Sequence, residues 1–125
     1  MDTKIDRLND IKIENFIWII YIGIIFLSWY ANSREKDYIL TNNDDSRKEY
    51  QNIMIFIFTI LIFVYYYFAK DSYDELKKIK PNESEKTKYL SYLSFIGSAL
   101  ILISGILFLI IAVEDDNIDV EIAFN

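Results

Sequence analysis

Four oxygen-bearing side chains near the carboxyl end of the sequence alternate in the manner of a calcium-binding loop. They are Asp115, Asn117, Asp119 and Glu121. An EF-hand loop takes Ca²⁺ ligands from alternate positions but needs glycine at its sixth position for a sharp turn. Val120 stands at that position here. We therefore predict no calcium site, and no other metal or cofactor, because the sequence also has no His or Cys ligands.

A second set of residues combines small side chains with regular spacing. The set is Ser91, Ser94, Ser98, Gly105 and Ala112. At about 100° per residue these positions fall on one arc of a helix, and small residues on one arc let helices approach closely in lipid. We predict a helix-packing face here, and we expect its helix to be the packing centre of the protein. Three uses of the face stay open: packing within one chain, self-association, or a pore lined by the serine hydroxyls.

Other residue combinations that carry chemistry are missing from the sequence. It contains no Cys and no His, and its three glycines all lie inside apolar segments. These features argue against a histidine general base, a thiol nucleophile and a glycine-rich phosphate loop. Basic residues are everywhere mixed with acidic ones, so no nucleic-acid-binding surface is indicated. We expect a protein that is not an enzyme and has no evident small-molecule substrate.

Three long apolar segments must position these residues. They are 16–33, 50–69 and 89–113, and none contains Asp, Glu, Lys or Arg. A helix of about 20 apolar residues spans the hydrocarbon core of a bilayer. The sequence therefore predicts an all-α membrane protein, with residues 1–125 forming one membrane domain that has three transmembrane helices.

Polar segments of different character flank the three predicted spans. Residues 1–15 have apolar side chains at helical spacing, which predicts either an amphipathic helix on the membrane or an extension of the first span. Residues 34–49 predict an outer loop, in which Tyr38–Thr41 has strand character. Residues 70–88 predict the helical tip of a long antiparallel hairpin formed by the second and third spans, with a helix stop at Pro81.

The acidic tail, residues 114–125, has the period of a β-strand. Its apolar residues alternate with polar or small ones, at Ile118, Val120, Ile122 and Phe124. An isolated strand is not stable, so it must pair with something. The tail is predicted to pair with the strand-like part of the outer loop, to add to a sheet of a partner protein, or to be disordered. We interpret these four residues as a partner-binding segment.

Lys and Arg are distributed unequally between the two sides that three spans define. Nine fall in residues 1–15 and 70–88, and four fall in residues 34–49. The positive-inside rule therefore predicts a cytoplasmic N-terminus and an outer C-terminus. The abundance of Ile, Asn, Lys and Tyr is typical of AT-rich genomes, so we predict a bacterial plasma membrane or a viral membrane as the location.

These features favour a small, non-catalytic, multi-pass membrane protein that acts as a subunit, anchor or scaffold of a larger membrane or virion assembly. Its predicted partners are the lipid bilayer and other membrane proteins or further copies of itself. The alternative is a holin-like protein or a small oligomeric pore-forming protein. The charge pattern disfavours a holin, since holins usually carry a basic cytoplasmic tail and this tail is acidic and predicted to lie outside.

Overall fold

The computed structural model describes residues 3–122, which form three long α-helices. They are α1 (Thr3–Thr41), α2 (Asp44–Lys77) and α3 (Glu85–Glu114). Each helix is long enough and apolar enough to cross a membrane. No strand occurs anywhere in residues 3–122. The predicted all-α class with three candidate transmembrane helices is therefore confirmed.

The first helix is longer than its apolar segment at both ends. From Thr3 onward, the N-terminal segment 1–15 is a direct extension of the first span, without a break. Beyond the span, α1 continues to Thr41, so the strand predicted for Tyr38–Thr41 is wrong. The helix continues through these residues because its end is set by Asn42. The φ of Asn42 is 55°, a left-handed conformation that asparagine tolerates at a helix end.

Only Asn42 and Asn43 separate α1 from α2. The Asn43 side chain caps the new helix by accepting a hydrogen bond from the Asp45 N–H at 3.0 Å. Asp44 and Asp45 then lie in the first turn, where the helix dipole favours negative charge. Of the predicted outer loop 34–49, just these two asparagines lie outside a helix.

The connection between α2 and α3 is longer. The second helix ends at Lys77, with a tightened turn in which the N–H groups of Lys78 and Ile79 donate to carbonyl oxygens three residues earlier. Pro81 follows within the connection, and Ser84 caps α3 by accepting a hydrogen bond from the Thr87 N–H at 3.1 Å. We name the two ends of the molecule after these connections, the Asn42 end and the Pro81 end.

The core of the protein is built around α2. This helix packs against both α1 and α3, whereas no Cα of α1 lies within 8 Å of a Cα of α3 in the described residues. The buried apolar residues of α2 recur at intervals of three and four, which makes a continuous stripe along the helix. The stripe consists of Tyr50, Met54, Ile57, Phe58, Leu61 and Val64.

The expectation that the third helix is the packing centre is wrong. Only Gly105 and Ala112 of α3 are buried, and both are small. Small residues let a neighbour come close, but most of the buried area comes from the large side chains of that neighbour. The helix with large side chains, α2, is therefore central.

Candidate functional site

The predicted small-residue face of α3 lies against α2 at the Pro81 end through serine hydroxyls. The Ser72 Oγ of α2 is 3.3 Å from the Ser94 Oγ and 3.1 Å from the Ser98 Oγ. Ser72 is buried, and Ser91, one turn earlier on α3, is half-buried. The hydroxyls of Ser94 and Ser98 are thus engaged within one chain.

Farther along the same face, backbone proximity replaces hydroxyl contacts. A Cβ atom added at Gly105 would lie 3.0 Å from the Tyr65 Cδ2 atom of α2, which is tighter than ordinary van der Waals contact. At the Asn42 end, the Gln51 Nε2 atom donates to the carbonyl oxygens of Ala112 and Val113, both at 3.1 Å. Glycine at position 105 therefore lets α3 approach the Tyr65 ring more closely than a larger residue would without a shift of that ring.

Sequence reasoning missed the residues of α2 that receive this face. Ser72 follows the predicted second span and Gln51 lies at its start, so a search for small residues inside the spans passes over both. A signal was present, since both are polar residues on the α2 face that carries the buried apolar stripe. Residues late in α2 contact residues early in α3, and residues early in α2 contact residues late in α3. The pairs are Ser72 with Ser98, Tyr65 with Gly105, and Gln51 with Ala112.

The Asn42 end is tied together by polar contacts between α1 and α2. The Tyr30 hydroxyl donates to the Glu49 carboxylate at 2.5 Å. The Ser46 hydroxyl donates to the Asp37 carboxylate at 2.5 Å, and Arg34 Nη1 lies 3.5 Å from the same hydroxyl oxygen. Ser46 is only 1% exposed, so this network extends into the packed interface between the two helices.

The tail does not form the predicted strand in the residues that the structure describes. The carboxylate of Asp115 accepts backbone N–H groups from Asn117, Asp119 and Val120, at 3.3, 3.1 and 2.8 Å. These donors would otherwise be available for a strand ladder. The backbone also turns at Ile118, where φ is 55°. The alternating acidic residues thus contribute one turn-forming carboxylate.

The apolar residues of the predicted partner-binding segment occupy different environments. Ile122 is 4% exposed and belongs to the core cluster, and Ile118 packs against that cluster. Val120 is 51% exposed, and Phe124 lies outside the described residues. The tail covers the ends of α2 and α3 and leaves a cavity of about 10 Å³, too small to bind a ligand. Arg47 secures it by donating from Nη1 to the Asp116 carbonyl oxygen at 2.6 Å.

Two carboxyl groups at the Asn42 end, Asp115 of the tail and Glu35 of α1, have pKa values shifted in opposite directions. Burial acts to raise the pKa of Asp115, but the backbone N–H groups of Val120, Asp119 and Asn117 favour the carboxylate and lower the pKa overall. Burial raises the pKa of Glu35 in α1, and the nearby charge of Glu121 adds to this shift. The ionised form is therefore stabilised at Asp115 and destabilised at Glu35, although both groups lie at the same end of the molecule.

An open groove lies on the other side of the molecule, between α1 and α3. Its volume is about 440 Å³, and aromatic residues line one part of it while polar residues line the other. The lining residues are Trp18, Tyr21, Tyr65, Phe68, Asp71, Ser72, Glu75, Ser94, Ser98 and Ile101. The groove exists because α1 and α3 both pack on α2 without meeting each other.

No group of acidic side chains in the described residues is arranged to hold a metal ion. Comparisons of the chain with protein-family models, with curated proteins and with solved structures find no match.

Proposed function

We propose that the chain is a small, non-catalytic, multi-pass membrane protein that acts as a subunit, anchor or scaffold in a larger membrane or virion assembly. The unequal covering of its helices supports this proposal best. Within the most apolar window of each helix, 33% of α2 is buried by the chain itself, but only 11% of α1 and 11% of α3. The outer surfaces of α1 and α3 are thus free to contact lipid or the helices of another chain.

We further propose that α2 and α3 form a long antiparallel hairpin whose tip lies in the cytoplasm together with the N-terminus. The basic residues of segments 1–15 and 70–88 support this orientation through the positive-inside rule. The Asn42 end and the tail then lie outside. On this topology the tail is the part of the chain that an outer partner meets first.

Orientation can be tested by cysteine labelling, because the chain has no cysteine of its own. Asn43→Cys and Asn82→Cys place a thiol in the connection at each end. With an impermeant maleimide, we expect Asn43→Cys to react in intact cells and Asn82→Cys to react only after permeabilisation. The reverse pattern would overturn the orientation and leave the three spans unaffected.

Partner binding can be tested with a photo-reactive amino acid at two tail positions that differ in exposure. Val120 is 51% exposed, whereas Ile122 is 4% exposed and serves as the matched control. In native membranes we expect the probe at Val120 to form an adduct with one defined second chain, and the probe at Ile122 to form only internal adducts. If neither position gives an intermolecular adduct, the tail is not a partner-binding segment.

The pore-forming alternative is tested by dye leakage from vesicles that contain the purified protein. We expect no leakage above that of empty vesicles. Engagement of the Ser94 and Ser98 hydroxyls by Ser72 supports packing within one chain rather than a hydrated serine face. Protein-dependent leakage would favour the pore over the scaffold.

A further inference from the structure

The groove between α1 and α3 changes from apolar to anionic along its length. Tyr21, Tyr65 and Ile101 line the part farther from the Pro81 end, and Asp71 and Glu75 line the part nearer to it. Tyr65 and Glu75 are ten residues apart on α2, which corresponds to about 15 Å at 1.5 Å per helical residue. The groove is therefore long enough for a head group and the first part of an acyl chain.

The anionic part of the groove lacks a positive side chain in its lining. Its charged lining residues are Asp71 and Glu75, and no Lys or Arg is among them. Asp71 and Glu75 also line a neighbouring groove in which five carboxylates outnumber two cations. The other carboxylates there are Asp6, Asp10 and Asp74, and the cations are Arg7 and Lys78. Burial raises the pKa of Asp71, and the charges of Asp10, Glu75 and Asp74 add to this shift.

Hydroxyl groups lie beside the carboxylates in the part of the groove nearer to the Pro81 end, since Ser72 stands between Asp71 and Glu75 on α2. Ser94 and Ser98 line the groove from α3, and the buried Ser72 lines its floor. Each hydroxyl can accept one hydrogen bond and donate another, so the cluster of three retains capacity for an ester oxygen of a ligand. Carboxylates and hydroxyls thus share the polar part of the groove, and the apolar surface continues from it.

We propose that this groove binds one phospholipid whose head group carries a primary amine. The ammonium group lies at Asp71 and Glu75, the ester region at the serine hydroxyls, and an acyl chain along Tyr65 and Ile101. A lipid can enter sideways, because the groove is open and no Cα of α1 lies within 8 Å of a Cα of α3 in the described residues. This proposal holds with or without a protein partner.

The chemistry of the anionic part distinguishes among lipid head groups. A primary ammonium donates three hydrogen bonds and can satisfy two carboxylates, whereas a trimethylammonium group donates none. A head group with net negative charge is repelled by both carboxylates. We therefore expect ethanolamine phospholipids to bind more tightly than choline or glycerol phospholipids.

The test is native mass spectrometry of the full chain released from nanodiscs that contain equal amounts of phosphatidylethanolamine, phosphatidylcholine and phosphatidylglycerol. We expect one retained lipid per chain, with phosphatidylethanolamine preferred by about tenfold, the ratio that one additional charge-assisted hydrogen bond supplies. Equal retention of the three lipids would overturn the proposal. So would a groove filled by a second copy of the chain, detected as a lipid-free dimer.

Two pairs of variants test the site. Asp71→Asn with Glu75→Gln removes the carboxylates of the groove, and Asp45→Asn with Glu83→Gln removes two exposed carboxylates elsewhere. We expect only the first pair to abolish the preference for the amine head group. If both pairs retain it, or both lose it, the groove carboxylates do not select the lipid.

A second test uses two variants that change the shape of the groove instead of its charge. It remains informative if the charge variant does not fold. Ile101 lines the groove and is 51% exposed, and Ile103 is 52% exposed but does not line it. Ile101→Trp fills the apolar part of the groove and is expected to remove the retained lipid. Ile103→Trp is expected to keep it. Retention of the lipid by both variants would place it outside the groove.

Discussion

The two ends of this three-helix protein are held together by different means. At the Asn42 end, side chains of α2 contact α1, the end of α3 and the tail, as shown by Ser46 with Asp37, Gln51 with Ala112 and Arg47 with Asp116. At the Pro81 end, the serine cluster and a 3.4 Å contact from the Tyr67 hydroxyl to Asp10 connect the helices, and the Lys70 and Asp74 ion pair lies within α2.

The difference shows where the chain is self-sufficient. At the Asn42 end, hydrogen bonds join α2 to α1, α3 and the tail, the tail covers the ends of α2 and α3, and the buried Arg34 Nε is left without a partner in the described residues. At the Pro81 end, an open groove with two carboxylates in its lining lies between α1 and α3. The two ends also differ in charge. The segments at the Asn42 end, 34–49 and 114–125, hold ten acidic and four basic residues, whereas those at the Pro81 end, 1–15 and 70–88, hold nine of each. The end with balanced charges is thus the end with the open groove, so charge balance does not determine which end is closed.

The largest effect is expected from a change between the two ends. Gly105→Leu introduces a side chain where even a Cβ would lie 3.0 Å from the Tyr65 ring, so the ring must move or α2 and α3 must separate. We expect the free energy of unfolding in detergent micelles to fall by about 1–3 kcal/mol, as for other overpacked cores. The matched control is Gly97→Leu, because no atom lies within 4 Å of a Cβ at Gly97. Equal losses in both variants would show that α3 does not depend on close approach at Gly105.

An intermediate effect is expected when one interhelical hydrogen-bonding group is removed at each end. Gln51→Leu removes two hydrogen bonds to α3 carbonyl groups at the Asn42 end, and we expect a loss of about 1–2 kcal/mol. Ser72→Ala removes the hydroxyl between Ser94 and Ser98, and we expect a loss of about 0.6 kcal/mol, the average for such bonds in membrane proteins. Denaturant unfolding measures both values. A larger loss for Ser72→Ala would reverse the comparison between the ends.

The smallest effect is expected from the pH dependence of the Asn42 end. Glu35 has a raised pKa, so its ionised form opposes folding, and this cost grows as pH rises above the ordinary carboxyl value of 4.5. Glu35→Gln should therefore slow amide hydrogen exchange of residues 117–122 slightly at pH 7 and have no effect at pH 4. Asp115 has the opposite sign, because its lowered pKa stabilises the tail above pH 3.8 and this stabilisation is lost as pH falls through the lowered value. Slower exchange in Glu35→Gln at pH 4 alone would contradict the assignment.

The apolar spans could be predicted from the sequence, and helical extension is one of the two predictions for residues 1–15, but the continuation of α1 to Thr41 and the fold of the tail could not be predicted. Charge-free segments of about 20 residues have few folded alternatives in lipid, so hydropathy alone identifies the helices. The end of α1 depends instead on one left-handed asparagine, and propensity at Tyr38–Thr41 does not reveal it. The tail alternates like a strand, yet a single Asp115 carboxylate binds the N–H groups that a strand would need. Small residues predicted the α3 face, but a search confined to the predicted spans passes over its partner Ser72, which lies beyond the second span.

The two-residue connection at Asn42 and Asn43 has a consequence for the order of assembly. Closing a short loop costs little chain entropy, and the cost grows with the number of residues enclosed. The helices α1 and α2 can therefore pair as soon as both have left the ribosome, before α3 has emerged from it. We expect this pair to be the first folded unit in the bilayer, and lengthening the connection with glycine and serine to delay its formation more than it weakens the finished protein.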